Sequence, residues 1–341
     1  MIMLKDRIAL RIAAAPHIHS PDSTERIMWT VVITLIPVMG ASVFFFGVAA
    51  LLVVAASVAG ALAVERLLGP GGSLRDGSAM ITGLLLGLTL PASFPMWMAF
   101  VGGAIAIGVG KIAFGGLGQN IFNPALIGRA FLQAAFPTAI TTWPKVGQGM
   151  QTIYASNFAW PLMQGNTVDL VTSATPLNLM KFEHKLADTV PLFFGNSGGS
   201  LGETSALLIL LGGAYLAYKR YLDWRVPVSI ILTVAVIIPV LRLISPERVP
   251  TVPFMLFSGG LMLGAVYMAT DMVTSPITKA GAWIYGAGIG LLVVLIRIWG
   301  GLPEGVMYAI LLMNALVPVI NRLTQPRVFG TERKRRKEAL A

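Results

Sequence analysis

The residues whose types and spacing suit chemistry fall in polar stretches between long apolar runs. Asp169-Leu170-Val171-Thr172-Ser173-Ala174-Thr175 sets hydroxyls among small side chains. A threonine oxygen so placed is an acceptor for covalent modification, provided the segment is extended and exposed and its neighbours let a second enzyme close over the backbone. Gly115-Gly116-Leu117-Gly118-Gln119-Asn120-Ile121-Phe122-Asn123-Pro124 has a different promise. Asn123 followed by Pro124 has the form of a helix N-cap and first turn, and free N–H groups there would hold an anion or the polar edge of a planar ring. A re-entrant turn that glycine merely permits is the competing reading. Arg129, one turn further on, is too costly to face lipid and must face protein, water or a ligand. Ser200 and Glu203 have capping-box spacing ahead of an apolar run, which favours a cap for Glu203 over an ion ligand. Asp271 closes an apolar segment just before Pro276; it is an ion-pathway candidate, as is Glu203, or a hydrated interfacial acid.

The elements that must position these groups are membrane helices. The 341 residues are 55% hydrophobic and only 12% charged, with mean hydropathy +0.76, which excludes an ordinary soluble domain. Apolar runs of about 18 or more residues suffice to cross a hydrocarbon core of roughly 30 Å. Ten spanning or half-spanning segments are expected, near 28–46, 48–65, 78–92, 95–112, 122–137, 203–219, 226–244, 253–270, 279–299 and 303–321. The fold class is therefore all-α and polytopic. No removable signal peptide is expected from the polar N-terminus. The chain divides into an N-terminal segment 1–27, a membrane half 28–137, a loop 138–202, a second half 203–321 and a basic tail 322–341. Lys5, Arg7, Arg11 and Arg26, then Lys219, Arg220 and Arg225, then the tail run Arg333-Lys334-Arg335-Arg336-Lys337 share one side if the count is even. The positive-inside rule makes that side cytoplasmic, with both termini, and places the loop carrying Thr175 on the outer face. The net charge of +10 then reads as membrane topology and contact with anionic lipid, not as nucleic-acid binding, for which no binding fold or aromatic interleaving is present.

An internal repeat runs through the two halves. Gly83-Leu84-Leu85-Leu86-Gly87-Leu88 leads to Lys111-Ile112-Ala113-Phe114-Gly115-Gly116-Leu117, and Gly260-Leu261-Met262-Leu263-Gly264-Ala265 leads to Arg297-Ile298-Trp299-Gly300-Gly301-Leu302. Paired, Gly/Pro-interrupted segments of this kind point to a pseudo-symmetric fold with a central binding region. With 0 cysteines and 3 histidines, the chain holds no Cys-ligated iron–sulfur cluster, thiol catalyst or disulfide, so a redox role would need an organic cofactor.

The Asp169–Thr175 segment resembles the site at which bacterial flavin transferases attach FMN to threonine through a phosphoester. Asp169, Thr172, Ser173 and Ala174 stand on the flanking positions of that pattern and Thr175 on the acceptor. Asp271-Met272-Val273-Thr274-Ser275 echoes its start, but Pro276-Ile277 replaces the Ala-Thr ending. Pro16-His17-Ile18, the segment from Phe114 to Phe131, Thr172 to Leu177, Ser200 to Ala206, Tyr267 to Asp271 with Thr274-Ser275-Pro276, and Gly300 to Val306 extend the likeness along nearly the whole chain. The chain resembles the D-type subunit of the Rnf-type ion-translocating electron-transport complex, which is similar to the B-type subunit of the sodium-pumping NADH:quinone reductase. Ser173 stands where that family often has glycine.

The resemblance implies covalent FMN on Thr175 and a second, non-covalent flavin, riboflavin, among the helices. It also implies an inner-membrane complex that moves electrons between ferredoxin and NAD while transporting sodium ions or protons, and a flavin transferase for maturation. Lys181, His184 and Lys185 would offset the phosphate charge, and Trp143, Tyr154, Phe158 and Trp160 offer aromatic surfaces in the same loop, which interfacial anchoring explains equally well. Without the resemblance, the repeat and the interrupted helices suit a channel or secondary transporter equally well, and a purely structural scaffold would account for the hydrophobicity alone.

Overall fold

The computed structural model describes residues 22–69, 73–147, 149–163, 174–183, 187–195, 197–203, 205–246 and 249–326. Six helices are long and apolar enough to cross a membrane, and the chain is an all-α, multi-pass membrane protein. The first half contains α1 (Thr24–Phe46), α2 (Val48–Leu68), α3 (Ser78–Leu88), α4 (Met96–Gly108) and α5 (Pro124–Ala135). Short helices α6 (Pro137–Thr141), α7 (Pro176–Glu183) and α8 (Thr189–Phe194) belong to the connecting loop. The second half contains α9 (Ala206–Tyr218), α10 (Arg225–Ile244), α11 (Val252–Phe257), α12 (Leu261–Leu263, continuing as a π-helical turn Gly264–Met268), α13 (Lys279–Trp299) and α14 (Val306–Thr324).

The same packing recurs in both halves. α2 lies along α4 as α10 lies along α13, and α5 follows onto α4 as α14 follows onto α13. Both long contacts depend on close backbone approach. A Cβ on Gly103 would sit 2.0 Å from the Ser57 carbonyl oxygen, and one on Gly290 would sit 2.8 Å from Thr233 Cβ. Small residues let membrane helices gain dispersion contact where water supplies no driving force between them. Across the halves, α1 meets α9 and α5 meets α14.

One expected span is not continuous. The segment 253–270 breaks at Ser258-Gly259-Gly260, where Gly259 has φ +65°, a conformation that glycine adopts without strain. Helix breaks at membrane depth survive only where their backbone groups find partners. Here they do: Arg297 donates to the Met255 oxygen at 2.6 Å and to the Ser258 oxygen at 2.9 Å, and the Gly260 N–H donates to Glu304 Oε1 at 2.7 Å. α3, with 11 residues, rises only about 16 Å and is likewise too short to cross alone.

The described parts of the 138–202 loop are packed onto the helices. Asn157 Nδ2 donates to the carbonyls of Ala92 and Phe94, both at 2.9 Å, and Ser156 Oγ to that of Ser93 at 2.7 Å. Leu177 and Met180 of α7 and Leu192 of α8 bury themselves with Phe254 of α11. Lys181 Nζ donates to the Leu302 oxygen at 2.8 Å and the Ile296 oxygen at 3.3 Å. Farther along, the turn Leu201–Glu203 is held by Ser42 Oγ of α1, which donates to the Leu201 oxygen at 2.6 Å, and by the Leu201 N–H on the Leu90 oxygen at 3.1 Å.

Candidate functional site

Helix α5 positions two cavities, one at each end. Asn123, Pro124 and Ala125 line the first, while Arg129 and Gln133 line the second. Ten residues of α-helix separate the extremes, about 15 Å.

The first cavity encloses about 800 Å³, counting space open to solvent, and is bounded by Ser78, Lys111, Asn120, Asn123, Tyr221, Tyr267 and Asp271, among apolar neighbours. The expected helix start at Asn123 is present, but its N–H groups are not free for a ligand. Asn123 Oδ1 accepts from Ala125 N at 3.0 Å and Leu126 N at 3.3 Å, and its Nδ2 donates to the Met268 oxygen at 3.1 Å. A side chain that caps one helix and satisfies another's carbonyl leaves the capping reading in force. Asp271 lies after the π-turn and faces this cavity. Its oxygens accept from Val273 N at 3.2 Å and Thr274 Oγ1 at 3.3 Å, and burial pushes its carboxyl above the usual range against those two bonds. Beside it Lys111, 3% exposed, is fully engaged with Glu65 Oε1 at 2.8 Å and Ser78 Oγ at 2.7 Å.

Thr175 lies on the second cavity, of about 940 Å³ with its open space, together with Arg129, Gln133, Trp143, Asn178, Glu203 and Glu304. The expectation of an exposed acceptor fails at Thr175 itself. Ala174 is exposed, but Thr175 is only 9% exposed, and its Oγ1 accepts from Asn178 N at 3.2 Å across the first turn of α7. The reason is apolar: Leu177 and Met180 fold α7 against α8 and α11, turning the threonine inward. Asp169, Thr172, Ser173, His184 and Lys185 lie outside the described residues. Of the loop aromatics, Trp143 lines the cavity, whereas Phe158 and Trp160 are exposed. Lys181 is committed to the carbonyls of Ile296 and Leu302.

Arg129 behaves as its cost in lipid demands. It is 7% exposed and donates through Nη1 to the Thr89 oxygen at 2.6 Å and through Nη2 to Glu304 Oε2 at 2.7 Å. Glu203 does not cap α9. Ser205 does, accepting from Leu208 N at 3.3 Å, and α9 begins at Ala206, after Glu203. The Glu203 carboxyl turns instead toward Glu304: both line the second cavity, and a Cβ on Gly260 would sit 2.7 Å from Glu304 Oε1 and 3.6 Å from Glu203 Oε1. Burial and then the Glu304 charge push Glu203 up to about 8. Burial would raise Glu304 too, but Arg129, the Gly260 N–H and Arg297 hold it below the usual carboxylate range.

Glu304 and Arg297 are not singled out as site residues by their sequence context. An acid in a Gly-Pro turn reads as solvated, and its importance comes from partners 44 and 175 positions away. The usable signal is the repeat, which pairs Arg297 with Lys111. Chemically, the second cavity offers a buried hydroxyl, an aromatic wall and the Arg129 guanidinium against two carboxyls at the junction of the halves, with Arg297 buried behind it.

Residues 11–330 match the NQR2, RnfD, RnfE family. The chain is 42% identical over 336 residues to the D-type subunit of the proton-translocating ferredoxin:NAD(+) oxidoreductase complex of Clostridium ljungdahlii, covering 94% of this chain and 96% of that one. It is 40% identical over 344 residues to the D-type subunit of the Na(+)-translocating ferredoxin:NAD(+) oxidoreductase complex of Acetobacterium woodii, covering 98% and 100%. It is 42% identical over 336 residues to the D-type subunit of the ion-translocating oxidoreductase complex of Stutzerimonas stutzeri, covering 91% and 93%. A match along this much of the chain makes it a member of the NQR2, RnfD, RnfE family.

Proposed function

We propose that this chain is the D-type membrane subunit of an Rnf-type ion-translocating ferredoxin:NAD oxidoreductase complex, not catalytic alone. It carries FMN esterified through its phosphate to Thr175 and passes electrons between neighbouring subunits. The observation that carries the reading is the position of Thr175, the acceptor of the modification pattern, on the wall of a large cavity at the junction of the two halves. The residues there fit such a group. Arg129 supplies a cation near the ester, Trp143 an apolar face, and Gln133 and Asn178 polar contacts for a ring system. Bound there, a flavin supplies one- and two-electron transfer, while the protein supplies orientation and electrostatics. α7 and α8 line one side of the site through Leu177, Asn178 and Leu192.

The buried, hydrogen-bonded state of Thr175 also orders maturation. A flavin transferase reaches this oxygen before α7 settles, or by releasing its first turn. The cavity bounded by Lys111, Asn123 and Asp271 is our candidate for the second, non-covalent riboflavin; its lining is mainly apolar with a few polar groups. The complex sits in the bacterial inner membrane with both termini cytoplasmic, the Thr175 cavity outward and the basic tail near lipid. Its other partners are the remaining subunits. The transported ion is sodium or the proton, and relatives named for each stand at nearly equal identity.

The test is direct. Protein from a host with the transferase, denatured and acid-precipitated, keeps flavin fluorescence; mass spectrometry finds the added mass on the Thr175 peptide, and Thr175→Ala abolishes both. A fluorescent Thr175→Ala band overturns the assignment. Solute flux through the isolated protein without flavin would favour a channel.

A further inference from the structure

In the wall of the Thr175 cavity two carboxyl groups converge on Gly260, where a built Cβ would lie 2.7 Å from Glu304 Oε1 and 3.6 Å from Glu203 Oε1. Both Glu304 oxygens already have donors: Arg129 Nη2 at 2.7 Å on Oε2 and Gly260 N at 2.7 Å on Oε1. Glu203 points its Oε1 at the same glycine, beside the Glu304 carboxyl. Among the described residues it forms no salt bridge. Two carboxylates cannot accept from each other, and like charges at contact in a buried setting do not both ionise. The donors on Glu304 fix it as the anion, so the proton resides on Glu203.

A second observation points the same way. Ser200 is 1% exposed, and its Oγ lies beside the Glu203 carboxyl without a properly formed hydrogen bond to any group. It borders a small recess, about 300 Å³ counting space open to solvent, with Glu304, Arg129 and Thr89. Buried hydroxyls are seldom left without partners, so the Ser200 Oγ is available to a group that enters the recess.

We propose that Glu203 is a proton-binding site at the floor of this cavity, donating its O–H to the Glu304 carboxylate, with the Ser200 hydroxyl the next group along the proton's route. The charged groups facing it are Glu304 from the turn before α14, Arg129 from α5 and Arg297 from α13. Two guanidinium groups so close oppose a metal cation, which would also need several free oxygen ligands. With Glu203 neutral, the cluster of two cations and one anion carries one net positive charge. That charge matches a phosphodiester on Thr175, a point that rests on the flavin reading above; the proton site itself does not.

Infrared difference spectra of the purified complex, wild type against Glu203→Gln, test the proposal. The expected result is a protonated-carboxyl C=O band at pH 6 that shifts in D₂O and vanishes with a midpoint near pH 8. The band is the same in sodium and potassium buffers and missing in Glu203→Gln, which keeps a donor toward Glu304. Glu304→Gln removes the neighbouring charge and moves the midpoint down by about one pH unit or more. No band lost in Glu203→Gln, a midpoint indifferent to Glu304→Gln, or a band that emerges only when sodium is withdrawn would each overturn the proton site, the last in favour of a metal cation. Thr175→Ala loses the flavin and keeps the band, so the two readings fail separately.

Discussion

Helix α5 ties the two halves of the molecule together twice, and the two ties differ in kind. At its start, Asn123 Nδ2 donates to the Met268 carbonyl in the π-turn, a neutral bond. Six residues later, Arg129 meets Glu304 in a partly buried ion pair beside Thr175. Neutral hydrogen bonds between membrane helices are worth little net, whereas a buried charge must be matched or it is punished. The first tie therefore permits adjustment where the π-turn and Asp271 face one cavity. The second concentrates charge where the other cavity needs an electrostatic floor.

A third buried contact supplies the control, because it stays within one half. Lys111 and Arg297 occupy matching repeat positions, and each pins the third helix of its own half: Lys111 through Ser78, Arg297 through Met255 and Ser258. Lys111 has its counter-ion, Glu65, beside it on α2, with side chains 3% and 0% exposed. Removing Lys111 leaves Glu65 buried and unpaired, so Lys111→Met should be the most damaging change considered, costing about 3–5 kcal/mol in reversible unfolding from mixed micelles. Lys111→Met with Glu65→Leu removes both charges and should restore most of the loss. A double variant as unstable as the single would mean that the pair shapes its surroundings rather than merely balancing charge.

Arg129→Gln comes next. Glu304 keeps the Gly260 N–H and the nearby Arg297, and its side chain is 19% exposed. The expected cost is therefore smaller, about 1.5–3 kcal/mol. The comparison sharpens if cavity properties change more than stability does. A complex with Arg129→Gln should still be flavinylated at Thr175, while its flavin potential falls as a nearby positive charge is lost. An unchanged potential would detach Arg129 from the cavity's occupant.

How much of this is legible in the sequence follows the same divide between local and distant causes. The span 279–299 coincides with α13, because periodic apolar runs and the Thr278 cap are local signals. Arg129 is placed inside by its cost in lipid alone. The break at Ser258-Gly259-Gly260 escapes a sequence reading since its partners, Arg297 and Glu304, come from later segments. Thr175 is expected to be exposed because a modification acceptor must be reachable, yet a few apolar side chains on α7 and α8 suffice to bury it. Ser200 and Glu203 fit a capping box, but Ser205 competes from two residues on, and tertiary contact with Glu304 decides between them.

The smallest expected effect probes the neutral tie. Asn123→Ala removes both the cap of α5 and the donor to Met268, whereas Asn123→Ser keeps a side-chain oxygen for the cap and loses the reach to the π-turn. An N-cap is worth about 1 kcal/mol. Hydrogen bonds between membrane helices average about 0.6 kcal/mol. Asn123→Ala should therefore cost roughly the sum, about 1.6 kcal/mol, and Asn123→Ser only the second part. The difference between the two variants measures the cap, and the loss in Asn123→Ser measures what binds the halves at this end. If Asn123→Ser costs as much as Arg129→Gln, the π-turn is held as firmly as the ionic end, and the contrast between an adjustable and a fixed junction fails.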